Sequence, residues 1–294
     1  MFIAVLSDQP AKRKEFCKLV GKETGNGDIS FYSSNFQGTI RTLIEPSLYP
    51  DKLQPLLYTL SIADYVVVIA DGLTPALGEL IVTLDSLRKE KGILISSVEL
   101  PIAKTVLEKY IHLQDFQEAK EKILSLPVQN SNEDVPFALV DSAFSVKSVG
   151  NVVLGALKSG LIKKRDKLLH LPSQIEMEVK NIQLNDKDVT EVSAGGRFGI
   201  SYKGGLIERG ILTAPSNSFS LAKSLLGQFT VSPFYKASVP KKIHAYLNLQ
   251  FIEGTLEGQT LVLEKQIAFR QGERILITDP GSSKLRICGV FTPK

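Results

Sequence analysis

The feature that most constrains the fold is a change of hydrophobic pattern near residue 130. Before it, short apolar runs typical of buried strands alternate with segments that carry apolar residues every three or four positions, as amphipathic helices do. This alternation favours a mostly parallel β-sheet covered by helices. The predicted strands are Phe2–Leu6, Thr39–Ile44, Tyr65–Ala70 and Gly92–Ser96, and the predicted helices are Ala11–Val20, Lys52–Leu60, Pro75–Lys91 and Ile102–Leu126.

After residue 130 the helical pattern disappears. The segment Pro127–Pro136 is polar, is bounded by prolines and is typical of a linker. Beyond it, short alternating stretches such as FALVDSAFSV and GGRFGISYKG are separated by glycine-rich turns, which predicts an all-β barrel. A second break at Ala214–Ser218 precedes further strands that end in RILITD and KLRICGVF. The sequence therefore predicts an α/β domain at 1–130 and two β-barrels, at 135–216 and 226–294.

The net charge of +4 conceals an asymmetry between the two halves of the chain. Residues 1–134 carry 14 Lys and Arg against 18 Asp and Glu, a net charge of −4. Residues 135–294 carry 21 Lys and Arg against 13 Asp and Glu, a net charge of +8. The positive half predicts an anionic partner for the barrels, and the alternative is a mildly basic surface that serves solubility.

Other compositional features narrow the classes of protein. The longest apolar runs, such as Tyr65–Ala70, are too short to cross a bilayer, and the N-terminus lacks the pattern of a secretory signal. Cys17 and Cys288 lie at opposite ends, and the three histidines are scattered, so neither a disulfide framework nor a metal site is expected. We therefore expect a cytoplasmic protein without a metal and without a membrane partner.

Within the predicted second domain, a series of motifs resembles the second domain of the translational GTPases, of the SelB and elongation factor Tu type. The resemblance implies a GTPase-like α/β domain before it, and the tail Phe229–Phe291 is similar in strand pattern to the third-domain barrel of that family. The motifs occur in the family order as Asp141, Phe144-Ser145-Val146, Gly150 to Gly155, Arg165-Asp166-Lys167-Leu168, Ala194 to Gly199, and Ile207 to Gly210.

The phosphate loop of that family reads Gly-His-Val-Asp-His-Gly-Lys-Ser/Thr after the first strand, where backbone N–H groups cradle the phosphates. This chain has Ser7 to Lys14 at the corresponding position, with neither glycine. Pro10 lacks an N–H donor, and Lys14 replaces the hydroxyl that binds Mg²⁺. Arg13 keeps a positive charge at this position, although a basic run such as Lys12 to Lys14 at the start of a helix more often forms a solvated face. The resemblance thus implies a degenerate phosphate loop.

Two further nucleotide motifs depart from the family in the same way. Glu45 replaces the aspartate linked to Mg²⁺, Leu48 replaces the glycine that contacts the γ-phosphate, and Tyr49 replaces the histidine that positions water. Ser97 and Glu99 stand where the guanine-reading Asn/Thr-Lys-x-Asp belongs, and the lysine is missing. The resemblance therefore implies a degenerate pseudo-GTPase with no nucleotide cofactor, no catalytic residues and no metal.

In elongation factor Tu the second-domain barrel helps to hold the aminoacyl end of tRNA. By position, the resemblance implies that Asp141, Phe144, Arg197 and Lys203 are the RNA-binding candidates of this chain. For Phe144, stacking on a terminal base competes with a place in the barrel core.

Three functions remain open at this point. The first is a translation-factor-like protein that binds tRNA or ribosomal RNA through its barrels without nucleotide. The second is a divergent GTP-binding translation factor. The third is a nucleotide-free regulatory subunit whose α/β domain docks a protein partner. The first is the interpretation we favour, because the resemblance and the positive charge both lie in the second half.

Overall fold

The computed structural model describes residues 1–127, 135–215 and 218–294. The first of these stretches folds as an α/β domain, and a 3₁₀ turn at Val106–Lys109 precedes its last strand. In chain order its elements are β1 Phe2–Leu6, α1 Pro10–Val20, β2 Lys22–Gly25, β3 Ser30–Phe36, β4 Thr39–Glu45, α2 Gln54–Ile62, β5 Tyr65–Ile69, α3 Pro75–Ser86, β6 Gly92–Ile95, β7 Ile111–Leu113 and α4 Phe116–Ser125.

The strands of this domain form one sheet in the order β2-β3-β4-β1-β5-β6-β7. Neighbours from β4 to β7 pair in parallel, while β2, β3 and β4 pair antiparallel. Both faces of the central strands are buried, as a sheet with helices on both sides requires. The predicted mostly parallel sheet is therefore confirmed.

The prediction of a single helix at 102–126 is wrong. The segment instead contains the 3₁₀ turn, the edge strand β7 and the helix α4. The Asp115 side chain caps α4 by accepting a hydrogen bond from the backbone N–H of Glu118 at 2.8 Å, so the helix begins there. Upstream, Tyr110 packs against Gly92 and its hydroxyl donates to the carbonyl of Lys89. The apolar residues that these short elements bury are spaced at three- and four-residue intervals, and this spacing led to the prediction of one helix.

Residues 137–213 form the first β-barrel. Six strands close on themselves in the order β11-β16-β8-β9-β15-β12, because β11 pairs with both β16 and β12. The inward side chains form one apolar core. The strands are β8 Phe137–Val146, β9 Gly150–Ser159, β10 Leu161–Lys163, β11 Lys167–Leu171, β12 Ile175–Leu184, β13 Lys187–Val189, β14 Glu191–Ser193, β15 Arg197–Gly204 and β16 Gly210–Thr213.

The second β-barrel closes in the order β17-β20-β19-β18-β21-β22. Its first strand begins at Ser220, before the start that the sequence predicts at residue 226. The predicted linker at 128–134 and part of the predicted break at 216–217 lie outside the described residues. The strands are β17 Ser220–Val231, β18 Ile243–Leu247, β19 Gln250–Glu257, β20 Thr260–Phe269, β21 Ile275–Thr278 and β22 Ile287–Pro293.

Apolar packing continues from the α/β domain into both barrels. The cluster on the sheet face covered by α2 and α3 includes Leu139 and Ile211 of the first barrel and Tyr246 and Ile287 of the second. The opposite face, under α1 and α4, has a separate core. The apolar cluster around α2 and α3 therefore joins the three parts of the fold.

Candidate functional site

Arg13 occupies the centre of the degenerate phosphate loop, and its side chain is fully buried. Its Nε donates to Glu45 Oε2 at 3.0 Å, and its Nη1 donates to the carbonyl of Ser7 at 2.6 Å. Its Nη2 donates to the carbonyls of Pro46 at 2.9 Å and of Tyr49 at 2.8 Å. A guanidinium has five N–H donors, so this arrangement directs most of them into the protein.

The rest of the loop is also bonded to neighbouring polar side chains. Lys12 forms an ion pair with Asp71, which follows β5. The Gln9 side chain donates to the same carboxylate at 3.1 Å, and the Thr74 hydroxyl donates to Asp8 at 2.7 Å. These contacts join the loop after β1 to the loop after β5.

The side chains at the remaining nucleotide-motif positions are not gathered around Arg13. Tyr49 is buried with its hydroxyl donating to the carbonyl of Ala76, and burial raises the pKa of this phenol. Ser97 and Glu99 lie exposed on the loop after β6, and Lys14 is exposed on α1. The structure thus brings together Ser7, Arg13 and Glu45, adds the Tyr49 backbone to them, and leaves the others apart.

In the first barrel, Asp141 and Arg197 form a buried ion pair. The guanidinium binds both carboxylate oxygens at 3.2 Å, and it lies 3.4 Å from the ring centroid of Phe31, on β3 of the α/β domain. Burial raises the pKa of Asp141, against the opposing effect of Arg197, and burial lowers the pKa of Arg197. Arg197 therefore faces the α/β domain, where the sequence alone suggested contact with RNA.

Phe144 and Lys203 lie on the outside of the same barrel. The Phe144 side chain is 45% exposed, so it does not fill the barrel core. Phe144 pairs with Val152, and Val152 pairs with Ser201, two residues before Lys203 on β15. Lys203 lies six positions after Arg197 on β15, a distance of about 20 Å along the strand. Only the Lys203 end of β15 is exposed.

A second arginine of the first barrel also binds the α/β domain. Arg209 forms a bidentate pair with Asp28, with both contacts at 2.6 Å, and its Nε donates to the carbonyl of Asp141 at 2.7 Å. Hydrogen bonding from Arg209 is the main effect that lowers the pKa of Asp28. Sequence reasoning placed Arg209 within a family motif at 207–210 but gave it no role, and no sequence signal marks Asp28.

The second barrel is joined to the α/β domain through Arg286. Its guanidinium and its backbone N–H both bind the carboxylate of Glu79, a buried residue of α3. Nearby, the Tyr246 hydroxyl of β18 donates to the carbonyl of Leu57 on α2 at 2.6 Å. Sequence reasoning missed these residues, because nothing local in the chain distinguishes them from ordinary barrel positions.

An open cleft of about 800 Å³ lies where the α/β domain and the two barrels meet. The α/β domain contributes Gln54 and Tyr58, the first barrel contributes the segment 206–209, and the second contributes Lys223 and Lys265. Both lysines are exposed, and the described residues supply neither with an ion-pair partner. The exposed carboxylate of Glu208 also lines the cleft, and Arg209 is paired with Asp28, so the two lysines leave a small excess of positive charge there.

His170 lies in the wall of this cleft and is nearly fully buried. Its Nδ1 is 2.6 Å from the hydroxyl of Ser173. Burial lowers the pKa of His170 to about 4, so its imidazole is neutral at physiological pH.

The described part of the chain contains neither a metal-binding cluster nor a membrane-spanning helix. Over residues 1–127, 135–215 and 218–294, no group of three or more His, Cys, Asp and Glu side chains is arranged to hold a metal ion. No helix in that part of the chain is both long and apolar enough to cross a membrane.

No protein-family model matches the chain. An uncharacterized protein of Methanocaldococcus jannaschii is 29% identical over 291 residues, covering 93% of this chain and 94% of that protein. The selenocysteine-specific elongation factor of the same organism is 26% identical over 206 residues, which cover 59% of this chain and 44% of that factor. The chain therefore matches less than half of the length of this factor.

The fold as a whole matches a solved elongation factor. The structure of translation elongation factor SelB from Methanococcus maripaludis, in complex with the GTP analogue GppNHp, gives a TM-score of 0.83 at 20% identity. The match covers 100% of this chain and 78% of that one. The α/β domain followed by two barrels is the architecture of SelB, and the resemblance that the sequence motifs indicate is confirmed.

Proposed function

We propose that this chain, a translation-factor-like protein related in sequence to SelB and built on the SelB fold, binds structured RNA in the cytoplasm through its barrels and does so without nucleotide. The observation that carries the nucleotide independence is the buried Arg13, which fills the degenerate phosphate loop with an internal hydrogen-bond network.

The surroundings of Arg13 argue against a bound phosphate. A phosphate-binding loop needs free N–H donors aimed at the ligand and backbone that can approach it closely. Here the Arg13 donors are taken by Glu45 and by backbone carbonyls, and Lys12 is paired with Asp71. The Glu45 carboxylate beside Arg13 would also repel a second anion. We therefore assign no GTP hydrolysis and no nucleotide cofactor to this chain.

Two exposed regions of the barrels support an RNA partner. The three-part cleft carries Lys223 and Lys265, and the outer face of the first barrel carries Lys203 and the exposed ring of Phe144. Positive side chains can neutralise phosphates, and an exposed aromatic ring can stack on a base. Lys203 lies opposite Glu178 on β12, whereas in the cleft two lysines face the single carboxylate of Glu208, so we place the stronger phosphate contacts in the cleft.

A second candidate function is protein docking on the α/β domain. Large apolar side chains are exposed on three loops at the edge of the sheet that carries the degenerate phosphate loop: Leu48 is 40% exposed, Leu73 is 60% exposed and Val98 is 44% exposed. These loops follow β4, β5 and β6, of which β5 and β6 are neighbours in the sheet. Exposed apolar side chains grouped at one edge favour a protein partner.

A titration of fluorescent tRNA and ribosomal RNA fragments, followed by anisotropy at several salt concentrations, tests the proposal. We expect micromolar or tighter binding at low salt, with an affinity that falls steeply as salt rises. Changing Lys203, Lys223 and Lys265 to alanine should weaken binding. The same change should reduce the slope of log affinity against log salt by roughly one for each phosphate that the variant no longer neutralises.

A matched control removes the same charge from the other half of the chain. Lys14, Lys18 and Lys91 are exposed lysines of the α/β domain, and their triple alanine variant should bind RNA with nearly unchanged slope. If no RNA is retained at micromolar protein, the docking function replaces the RNA proposal. If calorimetry with GTP and Mg²⁺ gives micromolar affinity, the chain is instead a divergent GTP-binding factor.

A further inference from the structure

The loop between β4 and α2, residues 46–53, is held by two arginines from opposite sides. Arg13 binds it from the core of the α/β domain, through the carbonyls of Pro46 and Tyr49. Arg286 of the second barrel binds it from outside, through the carbonyls of Pro50 at 3.0 Å and Asp51 at 3.3 Å. One irregular segment thus links a buried side chain of the first domain to the surface of the last.

Arg286 also binds helix α3, through the carboxylate of Glu79. The backbone N–H of Arg286 donates to Glu79 Oε1 at 2.9 Å, and its Nη2 donates to Glu79 Oε2 at 2.5 Å. The surface to which the second barrel docks therefore consists of this loop, α3 and the adjoining helix α2, where Tyr246 binds the carbonyl of Leu57.

Backbone hydrogen bonds order part of the loop, among them those from Ser47 N–H to the carbonyl of Asp28 at 3.0 Å and from Lys52 N–H to the carbonyl of Leu48 at 2.8 Å. The loop contains turns and neither helix nor strand before α2 begins at Gln54, so its backbone cannot be fixed by a regular hydrogen-bond ladder. Fixing such a segment costs conformational entropy, which specific bonds must offset. Arg13 supplies bonds to its carbonyls at both Pro46 and Tyr49, and at the same time binds Glu45 and Ser7 at the ends of the neighbouring strands β4 and β1.

We infer that Arg13 is a built-in tether, which holds the 46–53 loop in the conformation to which the second barrel docks. The arrangement of the α/β domain and the second barrel is then fixed by the chain itself, without any ligand at the degenerate phosphate loop. This inference rests on the proposed nucleotide independence, and it adds a role for Arg13 that local support of the α/β core does not include.

The backbone amide of Arg286 gives a direct measure of docking, because its acceptor belongs to the other domain. Hydrogen exchange of this amide is compared in the full-length wild type, in Arg13→Met, in Arg13→Lys and in the control Ile123→Ala. Ile123 is buried on α4, on the opposite face of the sheet, so its truncation weakens the α/β domain without touching the loop.

We expect exchange at Arg286 to become at least about tenfold faster in Arg13→Met, together with faster exchange in the 46–53 loop. Arg13→Lys keeps the positive charge beside Glu45 but lacks the planar fork that reaches several acceptors, so its effect should be intermediate. If Arg13→Met does not fold, the lysine variant alone carries the test. The control should leave exchange at Arg286 within about twofold of the wild type.

Two results would overturn the tether. One is unchanged protection at Arg286 although the 46–53 loop exchanges faster. The other is an equal loss of protection in Ile123→Ala, which would assign the effect to general stability. Addition of GTP and Mg²⁺ to the wild type is a separate arm: altered exchange at Arg286 would contradict nucleotide independence, while the variants still decide whether Arg13 controls docking.

Discussion

Position along a strand decides what each basic side chain of the first barrel can contact. Arg197 and Lys203 both point outward from β15, but Arg197 lies under the α/β domain and Lys203 lies in solvent. The sequence predicts that the side chains alternate, and it does not reveal which part of the outer face a second domain covers. The assignment of Arg197 to RNA stays a prediction, and its contacts with Asp141 and Phe31 suggest a structural role.

Replacing Arg197 with alanine should therefore destabilise the fold. The change leaves the Asp141 carboxylate buried without its ion-pair partner, which typically costs about 3 kcal/mol of the free energy of unfolding. Lys203→Ala removes an exposed side chain and should change the free energy of unfolding by less than about 0.5 kcal/mol. Urea unfolding followed by circular dichroism measures both. Equal stability of the two variants would contradict this assignment.

The buried His170 should make stability depend on pH. Its folded-state pKa of about 4 lies below the ordinary value of about 6.5, so the unfolded chain binds more protons between these values. Stability is therefore full above about pH 6.5 and declines as pH falls towards 4, by about 2 kcal/mol between pH 7 and pH 5. His170→Gln cannot take up this proton and should remove that part of the decline. An identical pH dependence in both proteins would show that His170 does not contribute.

The arginine at position 13 shows the limit of sequence reasoning at this scale. The loss of both glycines and of the hydroxyl from the phosphate loop can be read directly from Ser7 to Lys14. The burial and hydrogen bonding of the Arg13 side chain cannot be read from the sequence. Its acceptors come from the end of β1, from β4 and from the loop after β4, and only the folded chain brings these together.

The hairpin β2–β3, like the edge strand β7, was not predicted from the sequence. Its first strand, KETG, is short, polar and exposed, so it carries neither strand periodicity nor apolar character. The central strands of the same sheet were predicted closely, because apolar runs bounded by polar turns identify buried parallel strands.

The pair between Asp28, in the turn of this hairpin, and Arg209 of the first barrel should couple the two elements. Both side chains are about 29% exposed, so solvent screening limits the expected coupling energy to about 1 kcal/mol. A double-mutant cycle with Asp28→Asn and Arg209→Gln measures it from unfolding free energies, and the bond of Arg209 to the Asp141 carbonyl cancels in the cycle. Additive effects of the two changes would mean that the pair contributes no coupling.

At the scale of the whole molecule, negative charge is concentrated in the α/β half and positive charge in the barrels, and arginine contacts join the two. Arg197 and Arg209 bind the hairpin side of the α/β domain, and Arg286 binds its loop and α3. The order of domains and the location of the charge were predicted from the sequence, since both depend on local pattern and composition. The contacts between domains were not predicted from the sequence, because they depend on tertiary geometry.

A titration of RNA in the presence and absence of nucleotide shows whether RNA binding by this protein depends on nucleotide. The dissociation constant for tRNA or ribosomal RNA is measured by anisotropy at fixed salt, with no nucleotide, with GTP and Mg²⁺, and with GDP and Mg²⁺. We predict micromolar or tighter binding that agrees within about twofold under the three conditions, because Arg13 already occupies the degenerate phosphate loop. Binding that requires GTP, or that becomes at least about tenfold tighter with it, would show that RNA binding depends on nucleotide.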